Sequence, residues 1–205
     1  MKQAALGFRV HSGWTALVAV SLQKNSPSVL ARQRVHLVEA FTYEFRQPYH
    51  TAEEMPLDKA RDFVSRVQSE ARRLAHRAIL GLQSDLQTQG FALKSCGLIL
   101  ASGKPLPTLE KILASHALIH TADGELFREA IVHASIRSGL AMCTVKEREL
   151  LDRAGQAFRI KSAALLQRVT EMGRPLGAPW SQDEKFATLA AWLAMASKHA
   201  RTKRG

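Results

Sequence analysis

The chain has 205 residues, 46% of them hydrophobic, with a formal net charge of +11 and a pI near 10.2. That composition suits one folded domain and excludes global disorder, while the apolar runs fall far short of the roughly 18 residues a membrane helix needs. Met1-Lys2-Gln3 begins no signal peptide, so a cytoplasmic protein is expected, and the charge favours polyanionic partners such as nucleic acid.

Ala4 to Val10 predicts a strand, His11-Ser12-Gly13 a tight turn, and Trp14 to Leu22 a second strand. QKNSPS, Gln23 to Ser28, carries turn chemistry. Val29 to Phe45 predicts a third strand, with Leu30, Arg32, Arg34, His36 and Val38 on one side. Three consecutive strands with short links imply an antiparallel meander. After a loop with Pro48 and Pro56, Leu57 to Gln87 predicts a helix whose stripe is Phe63, Val67, Leu74, Ala78 and Leu82. Its other face carries Lys59, Arg61, Arg66, Arg72, Arg73 and Arg77.

LKSCGLILA, Leu93 to Ala101, predicts a strand covered on both faces. Thr108 is expected to cap one helix, and Thr121 a second that runs from Ala122 to Arg137 and ends at Gly139. Leu140 to Val145 predicts a short strand and Lys146 to Phe158 a helix. Met172 to Gln182 reads as a loop, and Ser181 with Glu184 forms a capping box that opens the last helix. The two cysteines, Cys96 and Cys143, lie in the two apolar strands, as free thiols in a reducing compartment would. One domain over residues 1–197 is expected, followed by a basic tail over 198–205.

The order β-β-β-α-β-α-α-β-α-α implies a mixed sheet with helices on its faces. It is similar to the ribonuclease H-like superfamily, which includes RuvC-type Holliday-junction resolvases. LGFRVHSGWTALVAV, Leu6 to Val20, resembles the first strand and turn of such a resolvase. DEKFATLAAWLAMA, Asp183 to Ala196, resembles its last helix. The resemblance implies an α/β, ribonuclease H-like fold: a three-strand antiparallel meander plus parallel strands, with helices on both faces. It also implies carboxylates at the end of strand one, near strand four and on the last helix. These hold two Mg²⁺ ions that clamp the attacking water and the leaving oxygen.

This sequence departs from that pattern. The strand-one position is Arg9, Ser102-Gly103-Lys104 follows strand four, and the last helix offers Lys185 or Thr188. Basic side chains do not ligate Mg²⁺, which takes hard oxygen donors. The expectation is therefore a degenerate site: non-catalytic binding of nucleic acid or another phosphate-bearing ligand at a basic crevice of Arg9, Lys104 and Lys185, with no cofactor. Strand ends of open α/β sheets are where such ligands sit. Arg66, Arg72, Arg73 and Arg77 form a second polyanion-binding candidate, although only Phe63 offers an aromatic ring there.

SHALIHTADGELFREA, Ser115 to Ala130, is the other candidate. His116 and His120 prolong the stripe of Leu109, Ile112 and Leu113, so both are expected to be partly buried and structural. Spacing of four puts their rings on one side of a helix, where Glu125 or Asp123 could complete a zinc site. Asp123 is expected at the second position of its helix, favouring the dipole, and Glu125, Arg128 and Glu129 on a solvated pairing face. No second ligand motif is present, and no metal is expected. Two alternatives stand beside the binding function. One is a divergent metal-dependent nuclease, or a hydrolase using His116, His120 and Glu125; the other is a structural or protein-interaction module.

Overall fold

The sheet starts as a tight hairpin. β1 (Lys2–His11) returns as β2 (Trp14–Gln23) through Gly13, whose φ of 81° is left-handed, a conformation glycine adopts without strain. β3 (Ser26–His36) adds antiparallel to β2. Three helices follow: α1 (Tyr43–Arg46), α2 (Pro48–Ala52) and the long α3 (Leu57–Thr88). β4 (Phe91–Leu100) then lies parallel to β1. After α4 (Leu109–Leu113) and α5 (His116–Arg137), β5 (Ala141–Lys146) lies parallel to β4. The chain ends with α6 (Leu150–Phe158), α7 (Ser162–Gly173) and α8 (Gln182–Thr202). The strand order is β3-β2-β1-β4-β5. This computed structural model describes residues 1–23, 26–101 and 105–202, the last five as backbone. Lys104 and the side chains of the basic tail lie outside the described residues. Among the described residues no helix is long and apolar enough to cross a membrane.

The mixed sheet carries helices on both faces, which explains the apolar run Cys96 to Leu100 in β4. On one face α3 and α5 bring Ile79, Phe127 and Ile131 against Leu6, Phe8, Leu17 and Leu98. On the other, α8 lays Ala187, Ala191 and Ala194 on Ala5, Val18 and Val20. This second contact is backbone-close. A Cβ on Gly7 would lie 1.8 Å from the Ala187 carbonyl oxygen, and one on Gly97 would lie 2.0 Å from that of Ala190.

Three local expectations fail, each for a physical reason. The third strand stops at His36, well before Phe45. There the Leu37 N–H bonds the Gly13 carbonyl at 2.8 Å, and Leu37 and Val38 both turn into the core, which adjacent residues of a pleated strand cannot do. The helix break falls at Ala114-Ser115 and not at Thr121. Thr121 lies inside α5, its hydroxyl donating to the Ala117 carbonyl at 3.0 Å. Finally, α7 is not expected at all. Its boundary with α6 is a left-handed turn at Arg159, with φ of 56°, so no glycine marks it.

One side chain ties the sheet edge to the loop ahead of α8. Arg32 on β3 donates to the carbonyls of Leu176 at 3.0 Å, Gly177 at 3.0 Å and Ala178 at 2.9 Å, and to that of Pro179. Arg32→Ala is expected to cost about 1–2 kcal/mol in urea unfolding, because several acceptors lose one donor. It should also speed hydrogen exchange around Gly177 to Ser181. Arg32→Lys should recover little, since an ammonium cannot fan across the same carbonyls.

Candidate functional site

The expected crevice falls at the carboxyl end of β1, where Glu147, directly after β5, and Asp183, in the first turn of α8, come together. Arg9, near the end of β1, donates to Glu147 Oε1 at 2.8 Å and Oε2 at 3.3 Å, and to Asp183 Oδ1. His11 Nε2 lies 2.8 Å from the same Asp183 oxygen. Burial alone would lower the Arg9 pKa, but the hydrogen bonds it donates to Glu147 and Asp183 hold it above its ordinary value. Asp183 is free for this role because its neighbours form the cap. The Ser181 N–H and hydroxyl both reach Glu184 Oε2 at 2.7 Å, and the Ser181 Oγ accepts the Asp183 N–H at 3.1 Å.

The crevice therefore does not hold Arg9 as an unpaired cation. Two carboxylates face it among the described residues. Among the described residues the Lys185 side chain forms no ion pair with this group; it lies two residues from Asp183 on α8, and residues two apart on a helix do not face each other. Lys104 lies outside the described residues. Glu147 is not among the expected site residues. The available signal is an acid placed directly after a short parallel strand.

A stacked row extends from the crevice over the outer sheet edge. His11 stacks on Trp14 with ring centroids 4.3 Å apart and 12° between planes. The Arg34 guanidinium lies 3.8 Å over the Trp14 ring. Phe41 follows, stacked on His36 at 4.4 Å and topped by Arg46 at 4.8 Å. Arg34, His36 and Phe41 are exposed. The row draws on the hairpin, the end of β3 and the bend beyond it, so no single stretch of sequence shows it.

The basic face of α3 is partly spent on ion pairs. Arg72 grips Glu129 of α5 with bonds of 2.9 and 2.7 Å, Arg73 pairs with Glu39, and Arg61 reaches Glu110 at 2.8 Å. Arg66 lies 6.0 Å from the Phe63 ring centroid. Among the described residues, Arg66 and Arg77 form no ion pair. A groove of about 820 Å³ runs along α3 past Phe45, Met55, Phe63 and Arg66, and shares no residue with the crevice.

The histidines are arranged otherwise than expected. Because α5 begins at His116, its buried stripe is Ile119, Ala122 and Leu126, and His116 and His120 are exposed. His50 on α2, absent from the sequence expectations, joins them: one ring nitrogen from each of the three lies within 4.8 Å of the others. Glu125 is not part of this group and instead accepts from Arg128 at 2.9 Å, both side chains mostly buried. Glu129 pairs with Arg72 of α3 and its side chain stays 39% exposed. Asp123 sits in the interior of α5, 2% exposed, and not at its second position. It accepts the Tyr49 N–H at 2.7 Å and approaches His50 Nδ1 at 2.5 Å. Burial pushes the Asp123 carboxyl above the usual carboxylate range, against the pull of the Tyr49 N–H and His50. Burial also lifts the Tyr49 hydroxyl and pushes the Cys96 thiol up to about 11, so that cysteine is inert at neutral pH.

The strand order and the helices on both faces define a ribonuclease H-like α/β fold. Among solved structures the chain is similar to RuvC of Thermus thermophilus in complex with a Holliday junction substrate. The TM-score is 0.56 at 10% sequence identity, over 98% of this chain and 97% of that one. A second structure of Thermus thermophilus RuvC gives a TM-score of 0.51 at 12% identity, over 97% of both chains. At these identities the likeness is one of fold. No family model matches the chain, and no curated protein matches it.

Proposed function

We propose that this protein binds nucleic acid at the carboxyl edge of its sheet without cutting it. The observation that carries the reading is Arg9, clamped by Asp183 and Glu147 near the end of β1. Two-metal cleavage needs carboxylates free to take hard cations, and here a guanidinium engages them. The binding half of the reading draws on the neighbouring row of His11, Trp14, Arg34 and Phe41. Such rings and guanidinium planes stack on bases of any sequence. The net charge of +11 adds an attraction for phosphate. The fold is shared with RuvC of Thermus thermophilus, which was solved on a junction.

The test separates binding from cleavage. Purified protein with junction, duplex, RNA–DNA hybrid or single-stranded DNA, in Mg²⁺ or Mn²⁺, is expected to cut none of them. Fluorescence anisotropy should show binding that persists in EDTA. Cleavage that is lost in EDTA and in Asp183→Asn would establish a divergent nuclease instead. Failure to bind any of these substrates would leave the protein-interaction reading in its place.

A further inference from the structure

His116 and His120 are one helical turn apart at the start of α5, a spacing that turns two imidazoles to the same side. The fold adds His50, carried on α2 from a distant part of the chain. His116 Nε2 and His120 Nε2 lie 3.0 Å apart, and the ligand nitrogens of all three rings fall within 4.8 Å. Two nitrogens on one tetrahedral zinc, each about 2.0–2.1 Å from the metal, lie roughly 3.4 Å apart. Small rotations of the two exposed side chains bring the group to that spacing.

A hydrogen bond between His116 and His120 would account for that pair alone. It does not account for the third ring or for what stands behind it. Asp123, with its side chain 3% exposed, meets His50 at Nδ1 and leaves Nε2 as the nitrogen open to a ligand. A buried carboxylate behind an imidazole is the usual partner of a metal-binding histidine, because it fixes the tautomer and strengthens the donor. The Tyr49 N–H holds the other oxygen of Asp123, so the carboxylate is itself fixed.

We infer that His50, His116 and His120 bind one divalent transition-metal ion of the zinc type, with Asp123 orienting His50. An all-nitrogen donor set suits Zn²⁺, Co²⁺, Ni²⁺ or Cu²⁺ and not Mg²⁺, so this site is chemically distinct from the fold's two-metal chemistry. Three protein ligands leave a fourth position for water or another small ligand. With His116 and His120 exposed, that position faces solvent. The ion would join α2 to the start of α5.

The experiment uses untagged full-length protein, stripped with a chelator and dialysed against excess Zn²⁺. Metal content is read by plasma mass spectrometry, and Co²⁺ substitution by visible absorption. Wild type and the control His76→Ala are expected to retain one equivalent, with the intense Co²⁺ bands of a tetrahedral site. His116→Ala and His120→Ala, both at exposed positions and checked for folding by circular dichroism, should lose it. Asp123→Asn should keep the site but weaken it by about 10–100-fold, the cost of an outer partner. Absence of retained zinc in the wild type, or equal retention by the His116→Ala/His120→Ala double variant, would overturn the inference.

Discussion

Gly97→Ala is expected to destabilise the protein by about 3 kcal/mol, a fall of roughly 6–12 °C in melting temperature for a chain of this size. The added Cβ would lie 2.0 Å from the Ala190 carbonyl oxygen and 2.4 Å from its carbon. Backbone atoms in a helix do not move singly, so α8 must lift away from the sheet. That loosens the packing of Ala187, Ala191 and Ala194, all buried. Gly7→Ala, which meets the Ala187 oxygen at 1.8 Å, should cost a similar amount. The double variant should cost less than the sum, since one displacement makes room for both side chains. Gly81 gives the contrast: it lies inside α3, and a Cβ added there would meet no atom within 4 Å, so Gly81→Ala should gain about 1 kcal/mol from helix propensity. Urea unfolding of the four variants checks the set. A Gly97→Ala protein as stable as wild type would mean that α8 stands off the sheet.

The second large effect is on binding. Trp14→Ala should weaken affinity for single-stranded DNA by about 5–150-fold, equivalent to the roughly 1–3 kcal/mol of one stacked base. Arg34 is exposed and lies over the indole, with no carboxylate partner among the described residues. It can therefore turn to a phosphate and yield the ring face to a base. A surface making two or three phosphate contacts should give a log–log salt slope of roughly −2 to −3. Arg34→Ala should flatten that slope by about one unit. Arg9→Ala should also weaken binding, because it leaves Asp183 and Glu147 uncompensated against the phosphates. Truncation after Ser197 should lower affinity yet preserve the dependence on Trp14. Wild-type binding by Trp14→Ala, or complete loss on truncation, would place the contact elsewhere.

The sheet is legible in the sequence because its signals are local: a two-residue hairpin turn, and the apolar run Cys96 to Leu100 in β4. The turn expected over Gln23 to Ser28 is shorter, since Gln23 ends β2 and Ser26-Pro27-Ser28 already pair in β3. The long α3 is legible from its stripe. The site is not, because its pairs are distant in the chain. Arg9 and Asp183 are separated by 174 positions, and Arg72 and Glu129 by 57. Nothing in the residues around either member announces the other. His50 is hidden because α2 spans only five residues, too few for any periodicity to show. The expected burial of His116 and His120 carries the phase of Leu109 and Ile112 across Ala114-Ser115, where the helix restarts and the phase resets.

Arg9 has a consequence for how the crevice responds to its surroundings. A dissolved cation occupies a carboxylate pair only as far as mass action allows, so occupancy follows its concentration. A guanidinium anchored to β1 obeys no such isotherm: its local concentration is fixed by the peptide chain, and its occupancy rises and falls with folding itself. Arg9 thereby offsets one of the two negative charges of Asp183 and Glu147, to the same degree in divalent-poor and divalent-rich surroundings. The electrostatic character of this edge of the sheet becomes an inherited constant and not a variable set by the medium.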